Sequence, residues 1–233
     1  MPEFRPAHSS RRRPRPNKPT PVPIPSTLWA TGTRTRPSGY GPIPVLSRAV
    51  REFTPSRGVF ALAALSSAQA RPAAQALHEV LADLANYCPP SQVPAGLVSV
   101  LGDDTAADLI IASLLPPLDN PTAPEKLTQL AIDAAEKLCP GGILAVLTRH
   151  DHDPHGRLLD PTGAVVAAAQ AADLLYLSHI VAAPITGDTI DLRLAPAPDH
   201  GHAAGHRLVH LDVSVFLLPG MDVDFPATQS RAA

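Results

Sequence analysis

KLCPGGILAVLT, residues 137–148, is the stretch that decides the fold. An alanine-rich amphipathic run leads up to Leu138 and Cys139. Pro140-Gly141-Gly142 then interrupts it, because proline lacks the helical N–H donor and glycine is the residue that most readily leaves a helix end. Five apolar residues, 143–147, follow without a break. The pattern predicts a helix, a sharp turn and a buried strand. A strand that is apolar on both faces belongs to a parallel sheet covered by helices on each side. Open sheets of that kind hold their ligands beyond the carboxyl ends of the strands.

The remainder of the chain extends this α/β reading. Residues 45–53, VLSRAVREF, place Val45, Leu46, Ala49, Val50 and Phe53 on one helical face. Residues 59–65, VFALAAL, predict the first buried strand, and Pro72 is expected in the first turn of a helix running to about Tyr87. Short strands are expected at 97–101 and 108–112, followed by a proline-rich loop at 113–124 and a helix over 125–138. A helix over 162–174 and apolar strands over 175–184 and 207–218 complete the pattern. No helical periodicity joins those last two strands, so they are expected to form an antiparallel pair closing one edge of the sheet.

Charge divides the chain in two. Residues 1–57 carry eleven Lys and Arg against Glu3 and Glu52, a net +9, whereas residues 58–233 carry eight against nineteen acids, a net −11. The 28 prolines are more than twice the average share, and many lie at the front. Residues 1–26 hold Arg5, Arg11, Arg12, Arg13, Arg15 and Lys18 among prolines and too little apolar surface to offset the entropy of ordering, so a disordered basic tail is expected there. Arg11, Arg12, Arg13, Arg15 and Lys18 are the candidate phosphate contacts, and DNA is the candidate partner. Residues 27–218 form the expected folded domain, and 219–233 a flexible C-terminus. No apolar run approaches the roughly 20 residues of a membrane span, and no hydrophobic signal segment opens the chain, so a cytoplasmic protein without membrane contact is expected. Cys88 and Cys139 have no zinc spacing and are expected to be reduced.

Several chemistries are excluded by motif. The chain has no Gly-Lys-Ser/Thr of a phosphate-binding loop, no G-x-S-x-G nucleophile elbow, and no glycine-rich turn after residues 59–65. Histidines cluster at His150, His152 and His155, and at His200, His202, His206 and His210. The first group is spaced H-x-H-x-x-H, as in metallo-β-lactamase-like hydrolases, but Pro154 stands where their aspartate precedes the last histidine. A solvated polar loop is the expectation, with no metal.

The order strand, Pro-Gly-Gly turn, strand, helix and closing antiparallel pair resembles the second half of a class I S-adenosylmethionine-dependent methyltransferase. Its L-x-P-G-G-x-L segment is matched by Leu138-Cys139-Pro140-Gly141-Gly142-Ile143-Leu144. More narrowly, the chain resembles actinobacterial proteins related to the N4-cytosine/N6-adenine DNA methyltransferases. That similarity is carried by Leu28-Trp29-Ala30-Thr31-Gly32, by residues 51–59 and 107–117, and by 159–172 through His210-Leu211-Asp212-Val213-Ser214-Val215-Phe216. The resemblance implies a Rossmann-like α/β sheet, mostly parallel with a C-terminal antiparallel strand pair. The segment before Leu97 is short by about one strand–helix unit relative to the family.

The same resemblance locates the positions of chemistry and shows how they differ. The family's Asp-Pro-x-Cys-Gly-x-Gly-Thr cofactor loop falls on Phe60-Ala61-Leu62-Ala63-Ala64-Leu65-Ser66-Ser67, which makes Ala61, Ala63 and Ala64 the cofactor-facing positions, with Asp103 and Asp104 as candidates for the adenine. Alanine side chains crowd a close approach that glycine would allow. The Asp/Asn/Ser-Pro-Pro-aromatic catalytic motif falls on Leu115-Pro116-Pro117-Leu118, which lacks both the hydrogen-bond acceptor and the stacking ring; Ser113 is the nearest polar substitute. The favoured expectation is a degenerate methyltransferase-like binding or regulatory module in which S-adenosylmethionine is not tightly bound, with a partner methyltransferase as a candidate source of the missing motifs. An active methyltransferase with unorthodox motifs is the alternative, and a metal-dependent hydrolase built on the histidines is the third.

Overall fold

The computed structural model describes residues 27–31, 39–100, 106–115, 123–152, 155, 157–186, 189–190 and 210–220. Its principal strands are β1 (Leu28–Ala30), β2 (Val59–Ala64), β3 (Ala95–Val100), β4 (Ala107–Ser113) and β5 (Leu138–Thr148), then β8 (Leu175–Ala183) and β11 (Leu211–Leu217). Two small hairpins lie outside the main sheet: β6 (Asp151–His152) with β7 (Leu158–Leu159), and β9 (Ile185–Thr186) with β10 (Thr189–Ile190). The helices are α1 (Ile43–Phe53), α2 (Ser67–Leu84), α3 (Pro124–Lys137) and α4 (Thr162–Ala171).

Seven strands form one sheet in the order β1-β8-β11-β5-β4-β2-β3. β3, β2, β4 and β5 are mutually parallel neighbours, β11 runs antiparallel to both β5 and β8, and β1 runs parallel to β8. The result is the expected α/β fold, a mostly parallel Rossmann-like sheet with a C-terminal antiparallel pair. β3 is an edge strand, and no helix lies between it and β4 among the described residues.

Alternation along the strands sorts the core into two layers. Phe60, Leu62, Leu109, Ile111, Ala145 and Leu147 pack with Val45, Leu46, Ala49 and Val50 of α1 and with Ala73, Ala76, Val80 and Leu84 of α2. The opposite face presents Ala61, Ala63, Ile110, Ala112, Leu144 and Val146 to Leu127, Leu130 and Ala134 of α3 and to Val165 and Ala169 of α4.

Three expectations are corrected. The Pro-Gly-Gly segment is a bulge inside β5 and not a turn before it. Leu138 pairs with Ala107 and Ile143 with Leu109, so residues 139–142 oppose Asp108 alone. The backbone stays in the sheet because Gly141 N–H donates to Leu218 O (2.9 Å) and Leu218 N–H donates to Gly142 O (2.9 Å), while Gly141 absorbs the distortion at φ 82°. Pro72 lies inside α2, which begins five residues earlier at Ser67. There it forfeits the bond its N–H would have made to Ala68, and packing of Ala73, Ala76, Val80 and Leu84 against the core holds the helix regardless. Finally, β8 and β11 do pair antiparallel, but β1 closes that edge of the sheet. β1 is three residues long, too short for alternation to announce it, and is anchored by Thr31 N–H donating to Ala183 O and Val181 N–H donating to Thr27 O.

Candidate functional site

In an open parallel sheet the ligand crevice opens where the chain departs in opposite directions from adjacent strands. Here that point lies between β2 and β4, since the connection after β2 leads to β3 on one side and β4 lies on the other. Ala61 and Ala63 belong to the layer beneath α3 and α4, and Ala64 is equally buried. Ser113, at the end of β4, is fully buried, and its Oγ accepts a hydrogen bond from Leu115 N–H at 3.3 Å. Leu115 is itself buried. Pro116, Pro117, Leu118, Asp103, Asp104 and the basic residues of the N-terminal tail lie outside the described residues.

Two side chains that the sequence did not single out span this crevice. Gln69, in the first turn of α2 and fully buried, accepts from Leu65 N–H through Oε1 (3.1 Å) and donates from Nε2 to Ser113 O (2.9 Å). Only this orientation of the amide satisfies both partners. Tyr40, also fully buried, directs its hydroxyl at Ala63 O (2.9 Å) and Ile111 O (2.7 Å). Burial raises the phenol far above its ordinary pKa, with backbone hydrogen bonds a smaller opposing influence. The backbone groups at the ends of β2 and β4 are therefore already satisfied from within the protein.

A second polar cluster sits at the end of β5 and the start of β11, where Thr148 and Asp212 are cross-strand partners. Asp212 is 2% exposed and is surrounded by three imidazoles. His179 Nε2 lies 2.8 Å from its Oδ1 in hydrogen-bonding geometry. His150 Nδ1 and His210 Nε2 lie 3.2 and 3.7 Å from its Oδ2. His150 Nε2 is 3.1 Å from Asp160 Oδ1, and the same oxygen accepts Thr162 N–H (2.8 Å) at the start of α4. Desolvation tends to raise the Asp160 pKa, but the Thr162 hydrogen bonds and the neighbouring His150 outweigh it and leave the carboxyl below its ordinary value. Of the H-x-H-x-x-H residues, His150 lies with Asp212 and His210, the backbone of Asp151 and His152 enters the β6–β7 hairpin, and His155 is exposed.

A separate groove of about 490 Å³ lies between α1 and the end of α2, lined by Pro44, Arg48, Arg51, Glu52, Asp83 and Tyr87, with Ala30. Arg48 stacks over Trp29 and Arg51 over Tyr87, at 4.9 and 4.8 Å from the ring centroids. The groove contains none of the residues at the β2–β4 crevice.

No protein-family model matches the chain, and no curated protein matches it. Among solved structures it is similar to an S-adenosylmethionine-dependent methyltransferase from Methanosarcina mazei, at 9% identity over 73% of this chain and 97% of that one, with a TM-score of 0.42. It is also similar to the CcbJ methyltransferase from Streptomyces caelestis, at 12% identity, 83% and 92% coverage and a TM-score of 0.39. A third is the N-methyltransferase NodS from Bradyrhizobium japonicum WM9, at 12% identity, 75% and 92% coverage and a TM-score of 0.37.

Gln69 was legible in principle. It continues the stripe of Ala73, Ala76, Val80 and Leu84 back by one turn, so a polar residue stood on a buried helical face. Asp212 offered a similar signal as the one charged residue within the apolar run 211–218. Tyr40, in a Gly-Tyr-Gly-Pro segment without periodicity, offered none.

Proposed function

We propose that this protein is a methyltransferase-like binding or regulatory module that does not bind S-adenosylmethionine tightly and does not transfer a methyl group. The observation that carries the reading is the Gln69 bridge: one buried amide joins Leu65 N–H to Ser113 O across the crevice where a cofactor would lie. A ligand there would have to break both bonds and expose two buried backbone groups, each costing about 1–3 kcal/mol when left unpartnered. The alanines of β2 and the missing acceptor and aromatic at Leu115-Pro116-Pro117-Leu118 support the same reading. In this proposal the basic segment 1–26 supplies contact with DNA, because the rest of the chain is too acidic to hold a polyanion.

Isothermal titration of the full chain with S-adenosylmethionine, and separately with S-adenosylhomocysteine, tests the cofactor half of the proposal. No heat of binding at micromolar concentrations is expected. Saturable binding in that range would overturn it and favour an active methyltransferase with unorthodox motifs.

A further inference from the structure

The geometry points to a metal-binding site for a divalent transition ion of the zinc class, with His150 Nδ1, His210 Nε2 and Asp212 Oδ2 as ligands. One ligand atom from each of the three residues lies within 4.8 Å of the other two. Ligands around a tetrahedral ion at metal distances of about 2.0–2.2 Å are separated by about 3.4 Å. The separations of 3.2 and 3.7 Å from Asp212 Oδ2 to the two nitrogens bracket that value.

A simple histidine–carboxylate salt bridge is a poorer account of these atoms. Among the described residues Asp212 Oδ2 is buried and accepts no hydrogen bond, although His150 Nδ1 is only 3.2 Å away. The distance suits a hydrogen bond, but the ring N–H direction does not. A divalent ion between these atoms would be held by the buried carboxylate oxygen and by a lone pair from each ring.

The surrounding groups complete the pattern. A ligating histidine generally presents its other ring nitrogen to a carboxylate, which fixes the tautomer and strengthens the ligand. Asp160 stands in that position, 3.1 Å from His150 Nε2. The free oxygen of a ligating carboxylate is usually hydrogen-bonded too, and His179 holds Asp212 Oδ1 at 2.8 Å. Two imidazoles and a carboxylate favour zinc and its neighbours over magnesium, which prefers oxygen ligands. Three protein ligands are also the number that leaves a coordination position open for water or another ligand. The site draws on β5, β11, β8 and the start of α4, and it shares no residue with the Gln69 bridge.

The test uses untagged full-length protein freed of metal by a chelator and then dialysed against Zn²⁺ or Mg²⁺, with bound metal measured by mass spectrometry. One Zn²⁺ per chain is expected, with no Mg²⁺. Asp212→Asn and His210→Ala should each weaken binding at least 100-fold, and Asp160→Asn roughly 10–100-fold. His210 is a third exposed, so its variant is expected to fold even if the Asp212 variant does not, and circular dichroism checks this. Replacing His200, His202 and His206 together with alanine should leave the stoichiometry at one. Absence of zinc from the wild-type protein would overturn the proposal in favour of a direct His150 bridge between the two carboxylates. Binding that survives His210→Ala but disappears with His200, His202 and His206 would reduce it to adventitious capture by the histidine-rich segment.

Discussion

Two buried side chains determine what the end of the sheet offers. Gln69 and Tyr40 place a neutral amide and a neutral phenol against backbone atoms at the ends of β2 and β4. Tyr40 has a measurable signature in pH. In the unfolded chain its hydroxyl titrates near the ordinary value of about 10. In the native protein burial raises its pKa far above that, so only the unfolded chain readily releases the proton as pH rises. Its stabilising contribution is therefore complete below about pH 10 and is lost as pH climbs toward the raised native value, by about 1.4 kcal/mol per pH unit. Tyr40→Phe should cost about 1–2 kcal/mol at neutral pH, from the lost hydrogen bond, and lose less additional stability above pH 10. Urea denaturation of both proteins between pH 7 and pH 11 measures this; parallel stability curves would refute the buried, neutral assignment. None of this was legible beforehand for Tyr40, because its importance comes from carbonyls 23 and 71 residues away in the chain.

Among the elements, β5 shows how tertiary context can absorb a turn signal. The composition of Leu138-Cys139-Pro140-Gly141-Gly142 was right for a chain reversal, yet Leu218, directly after β11, captures the segment and draws it into the sheet as a bulge. The glycines then have distinct duties. Gly141 has φ 82° and open space where a methyl group would stand, so Gly141→Ala should cost about 1–2 kcal/mol through backbone strain alone. A methyl group at Gly142 would meet Cys139 O at 2.7 Å and Asp108 O at 3.2 Å, so Gly142→Ala should cost more. Gly163 in α4 has neither constraint, and Gly163→Ala should be neutral or stabilise by up to about 1 kcal/mol. Thermal or urea melts of the three variants should fall in the order Gly163→Ala, Gly141→Ala, Gly142→Ala. Equal losses at 141 and 142 would contradict the bulge geometry. The helices were easier to read: α1 and α3 fall where the apolar spacing placed them, because one face of each meets the sheet.

At the scale of the whole molecule, the division between a basic front and an acidic body yields its own prediction. Six cations lie within residues 1–26, so DNA binding by the full chain should weaken steeply with salt, with a log–log slope approaching about −5 if all six reach phosphates. Deleting residues 1–26 should abolish that binding in a fluorescence anisotropy titration, and unchanged affinity after deletion would rule the segment out as the contact. Among the described residues no helix is long and apolar enough to cross a membrane. The sequence by itself determined the alternation of helices with apolar strands, the parallel character of the central sheet and the antiparallel pairing of β8 with β11. Those features follow from local periodicity and from whether a connection contains a helix, both of which are written along the chain. Only the tertiary structure decided that β1 would close the sheet, that Gln69 would join β2 to β4, and that Asp212 would meet His150, His179 and His210. Each of those depends on strand order and register, which bring together residues far apart in sequence, and the resulting contacts leave no periodic trace in the chain.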